Sequence, residues 1–448
     1  MNKMRTRIDW LVGIIVLTQG PATWAGPHPP EPSRTPDWSL VGVSVTPHVR
    51  AETMRYRVEP STQRGALTRL FIRNDSNQPR SLDTRAIRFN DATAAEWLER
   101  DQWAWHDLVD EQVNVPSGGL VVLTFNGKTN AWGAGAELKV ALHGESFPFQ
   151  IRLDPSPVVL TALTFTADTE PDGGLNPFPH RLVAHLHNMT DQSQSIRSVR
   201  IHTPDPDNRQ AFRAAGVGPS FVFEAGQSGF ETFPTSGVIP PGDRGGVVIR
   251  SSEPFPRAFV VVQVELVSPK AGPDDPDTTT IWATLKVKPE TFDISGGWTA
   301  GDTPRGQALT LEPYLNTLKW MHVNTAQIEE VGGYTDDPAR YTRWPLKRFN
   351  RMANLERYDT DELLPTIHAV EFLGEPQFGR DKRTPQQVFD ELRPYAASRL
   401  PTSVTLSDES FWREYAGLSD YPHYDAYRVA APASDAWSRY DRWPDGTR

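Results

Sequence analysis

Short segments that alternate apolar and polar residues fill most of the chain between residues 38 and 289. Apolar residues there recur with a period of two, and no long segment has the 3.6-residue period of an amphipathic helix. Clusters of Gly, Pro, Asn and Asp separate the segments, which is typical of strands joined by turns. The pattern predicts β-sandwiches, with strands at 41–45, 70–72, 119–125, 137–142 and 258–266 among others.

A weak internal repeat indicates that this region holds two copies of one module. The segment around Asn74, RNDSNQ, recurs around Asn188 as HNMTDQ, at an offset of 114 residues. An Asn followed two residues later by Ser or Thr is typical of an Asx turn that closes a hairpin. Both sites are also formal N-glycosylation acceptors, but the turn explains them without a sugar. We therefore predict two immunoglobulin-like sandwiches, at 38–155 and 156–289.

After Pro289 the apolar period changes, and helical segments alternate with strand-like ones. This alternation predicts a parallel sheet with crossover helices, that is, an α/β, TIM-barrel-like domain at 290–448. A closed barrel needs about 250 residues, so we expect either a complete open sheet or, as the preferred interpretation, a truncated barrel. The predicted strands are 292–295, 322–328, 367–373, 402–406 and 424–429, and the predicted helices 309–321, 345–354 and 385–398.

Residues 1–25 are predicted to be a cleaved signal peptide. Lys3, Arg5 and Arg7 precede a short apolar segment at 11–18, and a small-residue cleavage site ends at Ala25. The apolar segment is too short to span a bilayer, and a Pro-rich linker follows at 26–37. We expect a secreted or periplasmic bacterial protein with no membrane span after cleavage.

Composition excludes several classes of function. The chain has no cysteine, which rules out disulfides, thiol chemistry and zinc–thiolate sites. Its formal net charge of −10, without a cluster of Lys and Arg, argues against nucleic acid as a partner. The histidines lack metal-binding spacings such as HExxH. His185 and His187 alternate on a predicted strand, where cross-strand packing is a simpler interpretation than chelation. We predict no metal and no other cofactor.

Carboxylates lie near the ends of the predicted strands in the last region. Glu375 follows the 367–373 strand, Asp408 follows the 402–406 strand, and Asp425 lies at the approach to the last strand. Loops at the carboxyl ends of parallel strands converge on one crevice. Glycosidic cleavage requires one carboxyl group to protonate the leaving oxygen and another to act as nucleophile or base. We predict Glu375 as acid/base with Asp408 or Asp425 as its partner. In the alternative interpretation these carboxylates cap helices or accept from loop amides, and Glu371 is paired within the sheet.

Aromatic residues accompany these carboxylates. Trp298 and Trp412 are predicted to stack on sugar rings, because an apolar face with a polar edge suits a pyranose. Tyr424 and His423 are predicted to bind substrate as well, although His423 has the alternative role of closing a loop. The four tryptophans between residues 97 and 132 are assigned to core or interdomain packing rather than to a sugar platform.

The order of the modules resembles that of multidomain bacterial glycoside hydrolases with a (β/α)8 barrel. Two exported sandwiches precede a βα repeat whose strand ends read VEFLGEP at 370–376 and DAYRV at 425–429. The Asn-Glu pair of many retaining glycosidase barrels is absent, since Gly374 precedes Glu375. The resemblance covers 290–448 and implies a carbohydrate-active protein, a glycoside hydrolase that acts on a polysaccharide or oligosaccharide. The alternative is a non-catalytic surface or periplasmic interaction protein with immunoglobulin-like modules.

Cleavage of the signal peptide is testable directly. Because the basic segment, apolar segment and small-residue site occur in the required order, we expect the exported protein to begin near Gly26. N-terminal sequencing of protein recovered after export measures this, and recovery of intact Met1 would contradict cleavage.

Overall fold

The computed structural model describes a large part of the chain after residue 36, and the predicted signal peptide and the linker up to that residue lie outside it. No helix among the described residues is long and apolar enough to cross a membrane. The described residues are 37–51, 60–90, 92–93, 96, 103–108, 112–128, 137–142, 145–150, 158–165, 179–203, 214–215, 220–255, 259–268, 277–289, 295–296, 311–321, 325–326, 347–351, 359–360, 364, 367–372, 375–377, 382–396, 398–406, 414–415 and 417–424.

The first apolar core lies between two antiparallel sheets. One sheet runs in the order β1-β2-β8, with β6 also on β8, and the other in the order β10-β9-β4-β5. Phe125 of the first sheet meets Phe89 of the second edge-on, with ring centroids 5.3 Å apart. The strands are β1 (Trp38–Ala51), β2 (Pro60–Asn74), β3 (Arg80–Asp83), β4 (Arg88–Phe89), β5 (Ala92–Thr93), β6 (Trp103–His106), β7 (Gln112–Val115), β8 (Leu120–Lys128), β9 (Glu137–Leu142) and β10 (Glu145–Gln150), and a 3-10 helix spans Thr84–Ala86.

A second core forms in the same way from the next set of strands. One sheet runs β16-β18-β12-β11-β21 and the other β15-β13-β19-β20, with β17 on β13, while β14 pairs with β8 of the first core. Buried Leu186 and Ile249 from one sheet pack in one cluster with Val199 and Val262 from the other. The strands are β11 (Val158–Phe165), β12 (Arg181–Asn188), β13 (Gln194–His202), β14 (Ala214–Ala215), β15 (Ser220–Glu224), β16 (Phe230–Phe233), β17 (Val238–Ile239), β18 (Arg244–Arg250), β19 (Phe259–Ser268), β20 (Asp277–Lys286) and β21 (Lys288–Pro289).

The last region forms a parallel sheet of six strands in chain order, β22-β23-β24-β25-β26-β27. Its apolar faces are covered in part by the second helix, because Tyr395 packs with Ile367 and Val370, and Val388 packs with Val404. The elements are β22 (Ser295–Gly296), α1 (Leu311–Trp320), β23 (Thr325–Ala326), β24 (Lys347–Arg351), β25 (Ile367–Phe372), α2 (Pro385–Ala396), β26 (Thr402–Leu406) and β27 (Tyr421–Tyr424).

The predicted fold class is wrong. Strands dominate the described residues, which contain two α-helices, so a helix-rich TIM-barrel-like domain is not supported and the protein consists mainly of several β-sheets. Segment 345–354, predicted as a helix, contains β24 instead, with Arg348 paired with Ile367 and Asn350 with Val370. Strand pairing with a buried neighbour has here overridden a weak local preference for helix. The predicted domain boundaries stay predictions.

Other elements of the last region match their sequence patterns. Helix α2 begins where the sequence places Pro385 at the first helical position. The hydroxyl of Thr384 accepts from the backbone N–H of Gln387 at 3.2 Å, and the Gln387 side chain accepts from Thr384 N–H at 2.8 Å. This reciprocal cap satisfies two N–H groups that the helix leaves unpaired. Strand β26 matches its prediction, whereas the last strand begins earlier than predicted, at Tyr421.

The predicted Asx turn is confirmed at both copies of the repeat. In the first copy Asn74 is fully buried, and its amide nitrogen donates to the carbonyls of Gln78 at 2.9 Å, Val115 at 2.9 Å and Pro116 at 3.1 Å. Its side-chain oxygen accepts from the N–H of Ser76 at 3.0 Å and from the Ser76 hydroxyl at 2.7 Å.

The second copy repeats this network around Asn188, which is also fully buried. Its amide donates to the carbonyls of Gln192 at 2.7 Å, Ile239 at 2.9 Å and Pro240 at 3.1 Å, and its oxygen accepts from Thr190 N–H at 3.1 Å. An amide nitrogen that is buried and occupied with three carbonyls is inaccessible to a sugar transferase in the folded protein. The Asn-x-Ser/Thr motif is therefore a turn here.

Substitution of Asn188 tests how much this turn contributes to the stability of the fold. We expect Asn188→Ala to lower the free energy of unfolding by about 3 kcal/mol, because several buried polar groups lose a partner at once. Urea denaturation of the full chain measures the change, with Gln227→Ala at an exposed turn as the control, expected within about 0.5 kcal/mol of wild type. A loss below about 1 kcal/mol for Asn188→Ala would show that the network is dispensable.

Candidate functional site

The structure describes only part of the predicted catalytic and binding set. Glu375 is described with its side chain, whereas His423 and Tyr424 are described only as backbone of β27. The positions of Asp408, Asp425, Trp298 and Trp412 lie outside the described residues, so their proximity to Glu375 stays a prediction.

Glu375 lies three residues after Phe372, the last residue of β25. The residue as a whole is half-buried, and its side-chain oxygen Oε1 is shielded from solvent and receives no hydrogen bond. Because β25 is a parallel strand, this position lies at the carboxyl edge of the sheet. A buried carboxyl oxygen without a hydrogen-bond donor is uncommon in a purely structural role.

Two histidines of the second core are explained by packing, as the sequence favoured. The Nε2 atom of His185 lies 2.9 Å from the Thr164 hydroxyl, and its ring meets Phe233 edge-on with centroids 5.9 Å apart. His187 Nε2 lies 3.3 Å from the carbonyl oxygen of Gly242. Within the part of the chain that the structure describes, no group of three His, Asp or Glu side chains is arranged to hold a metal ion.

A second candidate site is a cavity of about 240 Å³ where the three regions meet, named here the junction cavity. The first core contributes residues of β2, β6 and β8, and the second core the end of β20. The last region contributes α2, the start of β26 and the 417–420 segment before β27. The cavity therefore lies at the amino edge of the parallel sheet, whereas Glu375 lies at the carboxyl edge. Its polar lining includes Arg69, Asp107, Lys286, Thr402 and Asp420.

Lys286 is the most buried cation of the junction cavity, with a side chain only 4% exposed. Its amine donates to the backbone carbonyls of Tyr395 at 2.7 Å and Leu400 at 2.6 Å and lies 3.5 Å from a carboxylate oxygen of Asp420. Burial lowers the pKa of Lys286 below its ordinary 10.5, and the Asp420 and Asp359 carboxylates oppose that shift. The last residue of β20 thus holds the end of α2 and the loop that follows it.

Asp420 connects the same amine to the parallel sheet. One of its carboxylate oxygens accepts from the backbone N–H of Thr402 at 2.9 Å and from the Thr402 hydroxyl at 3.1 Å. Thr402 is the first residue of β26, and Asp420 immediately precedes β27. The start of both strands is therefore fixed to the second core through Lys286.

Arg69 projects from β2 into the junction cavity. Burial lowers the pKa of its guanidinium to about 10, although the buried Asp107 carboxylate acts in the opposite direction. Among the described residues the guanidinium makes no hydrogen bond and no ion pair within 4.0 Å. Arg69 is therefore a charged group whose five N–H donors remain available to a molecule in the cavity.

Aromatic stacking closes the junction on its other side. Trp105 of β6 stacks on Phe389 of α2, with ring centroids 5.1 Å apart and planes inclined by 17°. The side chain of Gln386 both accepts from His106 N–H at 2.9 Å and donates to the His106 carbonyl at 3.1 Å. The assignment of Trp105 to interdomain packing is confirmed, which leaves its face unavailable as a sugar platform.

The junction cavity was not anticipated from the sequence. Its only signal is a cation beside apolar residues in each of two strands, with Arg69 followed by Leu70 and Phe71, and Lys286 between Leu285 and Val287. Such a cation also fits an exposed strand face, so the sequence does not distinguish a surface position from a buried junction.

Comparison with known proteins gives little guidance. No protein-family model matches the chain, and no curated protein matches it. Among solved structures it is weakly similar to the Bifidobacterium dentium β-glucuronidase complexed with coumarin-3-O-glucuronide, at 13% identity and a TM-score of 0.21 over 91% of this chain and 76% of that one. It is similar to Bacteroides uniformis β-glucuronidase 2 at 10% identity and a TM-score of 0.23, over 80% of this chain and about half (48%) of that one.

A third similarity is to the archaellum periplasmic stator protein complex FlaF and FlaG from Sulfolobus acidocaldarius, at 18% identity and a TM-score of 0.18 over 29% of this chain and 89% of that one. The resemblance to glycoside hydrolases is thus vague and has no support from sequence families. At such TM-scores none of these similarities carries an argument about function.

The pH dependence of stability tests the burial of Lys286. Between its lowered pKa and 10.5 the folded protein binds fewer protons than the unfolded chain, so the free energy of unfolding should rise with pH in this window. Urea denaturation between about pH 8 and 10.5 measures the slope. Lys286→Met should flatten it and, at neutral pH, lower the free energy of unfolding by about 1–3 kcal/mol because two carbonyls lose a donor.

The matched control for this prediction is Lys382→Met, since Lys382 is exposed. This variant should keep both the slope and the stability of wild type. A Lys286→Met protein with an unchanged slope would contradict the assignment of the slope to this amine.

Proposed function

We propose that this chain is an exported carbohydrate-active protein that cleaves a glycosidic bond, with Glu375 as the proton donor. The observation that carries the proposal is the Glu375 side chain at the carboxyl edge of the parallel sheet, with Oε1 buried and without a hydrogen-bond donor. Carboxylates that cap turns or helices use their oxygens on backbone N–H groups. Such an oxygen left unsatisfied supports a functional role in preference to a structural one.

The order of the strands supports a partner carboxylate from a neighbouring strand. Strands β25, β26 and β27 are adjacent and parallel, with Phe372 paired with Val404 and Leu406 paired with Tyr424. Asp408 follows the end of β26 by two residues and Asp425 directly follows β27.

The distance between the strands indicates which type of glycosidic cleavage each pair of carboxyl groups suits. Neighbouring strands lie about 4.8 Å apart, and strands separated by one other lie about twice as far apart. A pair of carboxyl groups about 5–5.5 Å apart suits a nucleophile and an acid/base, and a wider pair leaves room for a water molecule. Asp408, from the adjacent strand, would as partner act as nucleophile in a retaining reaction, whereas Asp425, from the next strand, would as partner act as the base that activates water in an inverting one.

The remaining predicted residues take binding roles in this proposal. Trp298 and Trp412 stack on sugar rings, and His423 and Tyr424 contact hydroxyl groups of a polysaccharide or oligosaccharide. Export to the periplasm or the medium fits a substrate that is too large to enter the cell.

A non-catalytic interaction protein is the second candidate. Trp320 and Met321, at the end of α1, are 80% and 62% exposed. Two adjacent exposed apolar side chains favour a contact with another macromolecule. In that case the sheets present a binding surface and no bond is cleaved.

Glu375→Gln decides between the two. The substitution keeps size and hydrogen bonding but removes the transferable proton, so turnover should fall by about 10²–10⁴-fold while the melting temperature stays near that of wild type. The measurement is release of reducing sugar from a panel of polysaccharides and oligosaccharides by the purified full chain. Glu253→Gln, at an exposed turn of the second core, is the control and should retain full turnover.

Two results would contradict the proposal. Full activity of Glu375→Gln on a glycan that wild type cleaves would remove Glu375 from the chemistry. Absence of cleavage across the panel, combined with loss of binding to a partner on Trp320→Ala, would favour the interaction protein.

A further inference from the structure

The junction cavity is separate from the proposed catalytic edge. Glu375 follows the carboxyl end of β25, whereas Thr402 and Asp420 mark the amino ends of β26 and β27. A ligand in the cavity would therefore not contact the carboxylates proposed for glycosidic cleavage. Whatever the cavity binds is independent of that reaction.

The charged side chains of the cavity differ in how many hydrogen-bond partners the protein gives them. The Lys286 amine is engaged by two carbonyls and by Asp420, and Asp420 is engaged in turn by Thr402. Arg69 has no comparable partner, since none of its donors reaches an acceptor among the described residues. Of these three charged groups, the Arg69 guanidinium is the one without a hydrogen-bond partner among the described residues.

The guanidinium of Arg69 is open to the cavity. Arg69 as a whole is half-buried, and none of its nitrogens is among the described side-chain atoms that are buried without a partner. Its N–H donors therefore face space that a ligand can enter, and the cavity of about 240 Å³ has room for one. Partial burial strengthens a charge-assisted hydrogen bond to such a ligand, because the bond is less screened by water there than at the surface.

We propose that the junction cavity binds a small organic monocarboxylate, held by a bidentate contact of its carboxylate with Arg69. The planar fork of a guanidinium matches the two oxygens of a carboxylate. Three cations, Arg69, Lys286 and Arg393, and two carboxylates, Asp107 and Asp420, line the cavity. This excess of one positive charge matches a monoanion rather than a phosphate dianion. Hydroxyl groups of Thr124 and Thr284 line the cavity as well and suit a ligand that carries its own hydroxyl.

The position of the cavity gives this ligand a role in assembly. Arg69 belongs to β2 of the first core, Lys286 to the end of β20, and Asp420 to the last region. Because the cavity is lined by residues of all three regions, a molecule bound in it binds the assembled form and not the separated parts. Binding must therefore stabilise the assembly by mass action.

Thermal unfolding of the full chain with lactate as the probe tests the proposal. At matched ionic strength we expect lactate to raise the melting temperature of wild type by about 2 °C or more, saturably, with sodium chloride as the reference. Arg69→Gln should abolish the rise. Arg73→Gln, on the same strand but exposed and paired with Asp75, should retain it.

The following results would contradict the proposed site or its ligand. An equal rise in Arg69→Gln, or no saturable rise in wild type, would overturn the site, and a rise with inorganic phosphate but not with lactate would overturn the monocarboxylate. If Arg69→Gln does not fold, saturation-transfer NMR of lactate with wild type decides, and absence of saturable transfer overturns the proposal. None of these readouts depends on cleavage of a glycan.

Discussion

The assembly of this protein depends on how one buried amine is compensated. Lys286 ends β20 with a side chain only 4% exposed, and its amine donates to the carbonyls of Tyr395 and Leu400 and pairs with Asp420. All three partners belong to the last region of the chain. The amine is therefore buried only while that region is docked, and removal of its partners from the docked form would leave a buried charge unpaired, at a cost of several kcal/mol. Together with the Trp105–Phe389 stacking and the Gln386–His106 hydrogen bonds, this contact positions α2 and the amino edge of the parallel sheet.

The same contact separates two environments in the parallel sheet. Its amino edge is closed by the Thr402–Asp420 hydrogen bonds and by the first two cores, and it contains the junction cavity. Its carboxyl edge carries Glu375, whose buried oxygen no described group satisfies. In parallel sheets generally, the carboxyl edge serves chemistry and the amino edge serves stability. The proposed functions follow this division, with bond cleavage at one edge and an anion that stabilises the assembly at the other.

The first two cores share one hydrogen-bonding arrangement around a buried Asn. Each places an Asn at the end of a strand, buries it completely, and uses both ends of its amide to fasten a distant loop. Asn74 and Asn188 reach carbonyls 41 and 51 residues further along the chain. A turn motif that is local in sequence therefore also makes long-range hydrogen bonds. Its occurrence in both cores indicates that they share one fold pattern.

Local patterns in the sequence were sufficient for several features. The alternation of apolar residues predicted the β-rich character of 38–289, the spacing of Asn and Ser or Thr predicted the two Asx turns, and Thr384-Pro385 predicted the start of α2. Each of these depends on contacts within a few residues, where the side chain at one position determines the hydrogen bond at the next.

Features that depend on distant partners were decided by the tertiary structure alone. Segment 345–354 is predicted as a helix from its local sequence, but its described part, Lys347–Arg351, is a strand because β25 pairs with it. Arg69 and Lys286 read as surface cations, and only the convergence of three regions encloses them in one cavity. The sequence determines which strands and turns can form, but a contact across more than 100 residues is chosen by packing, because its free energy exists only once both surfaces have folded.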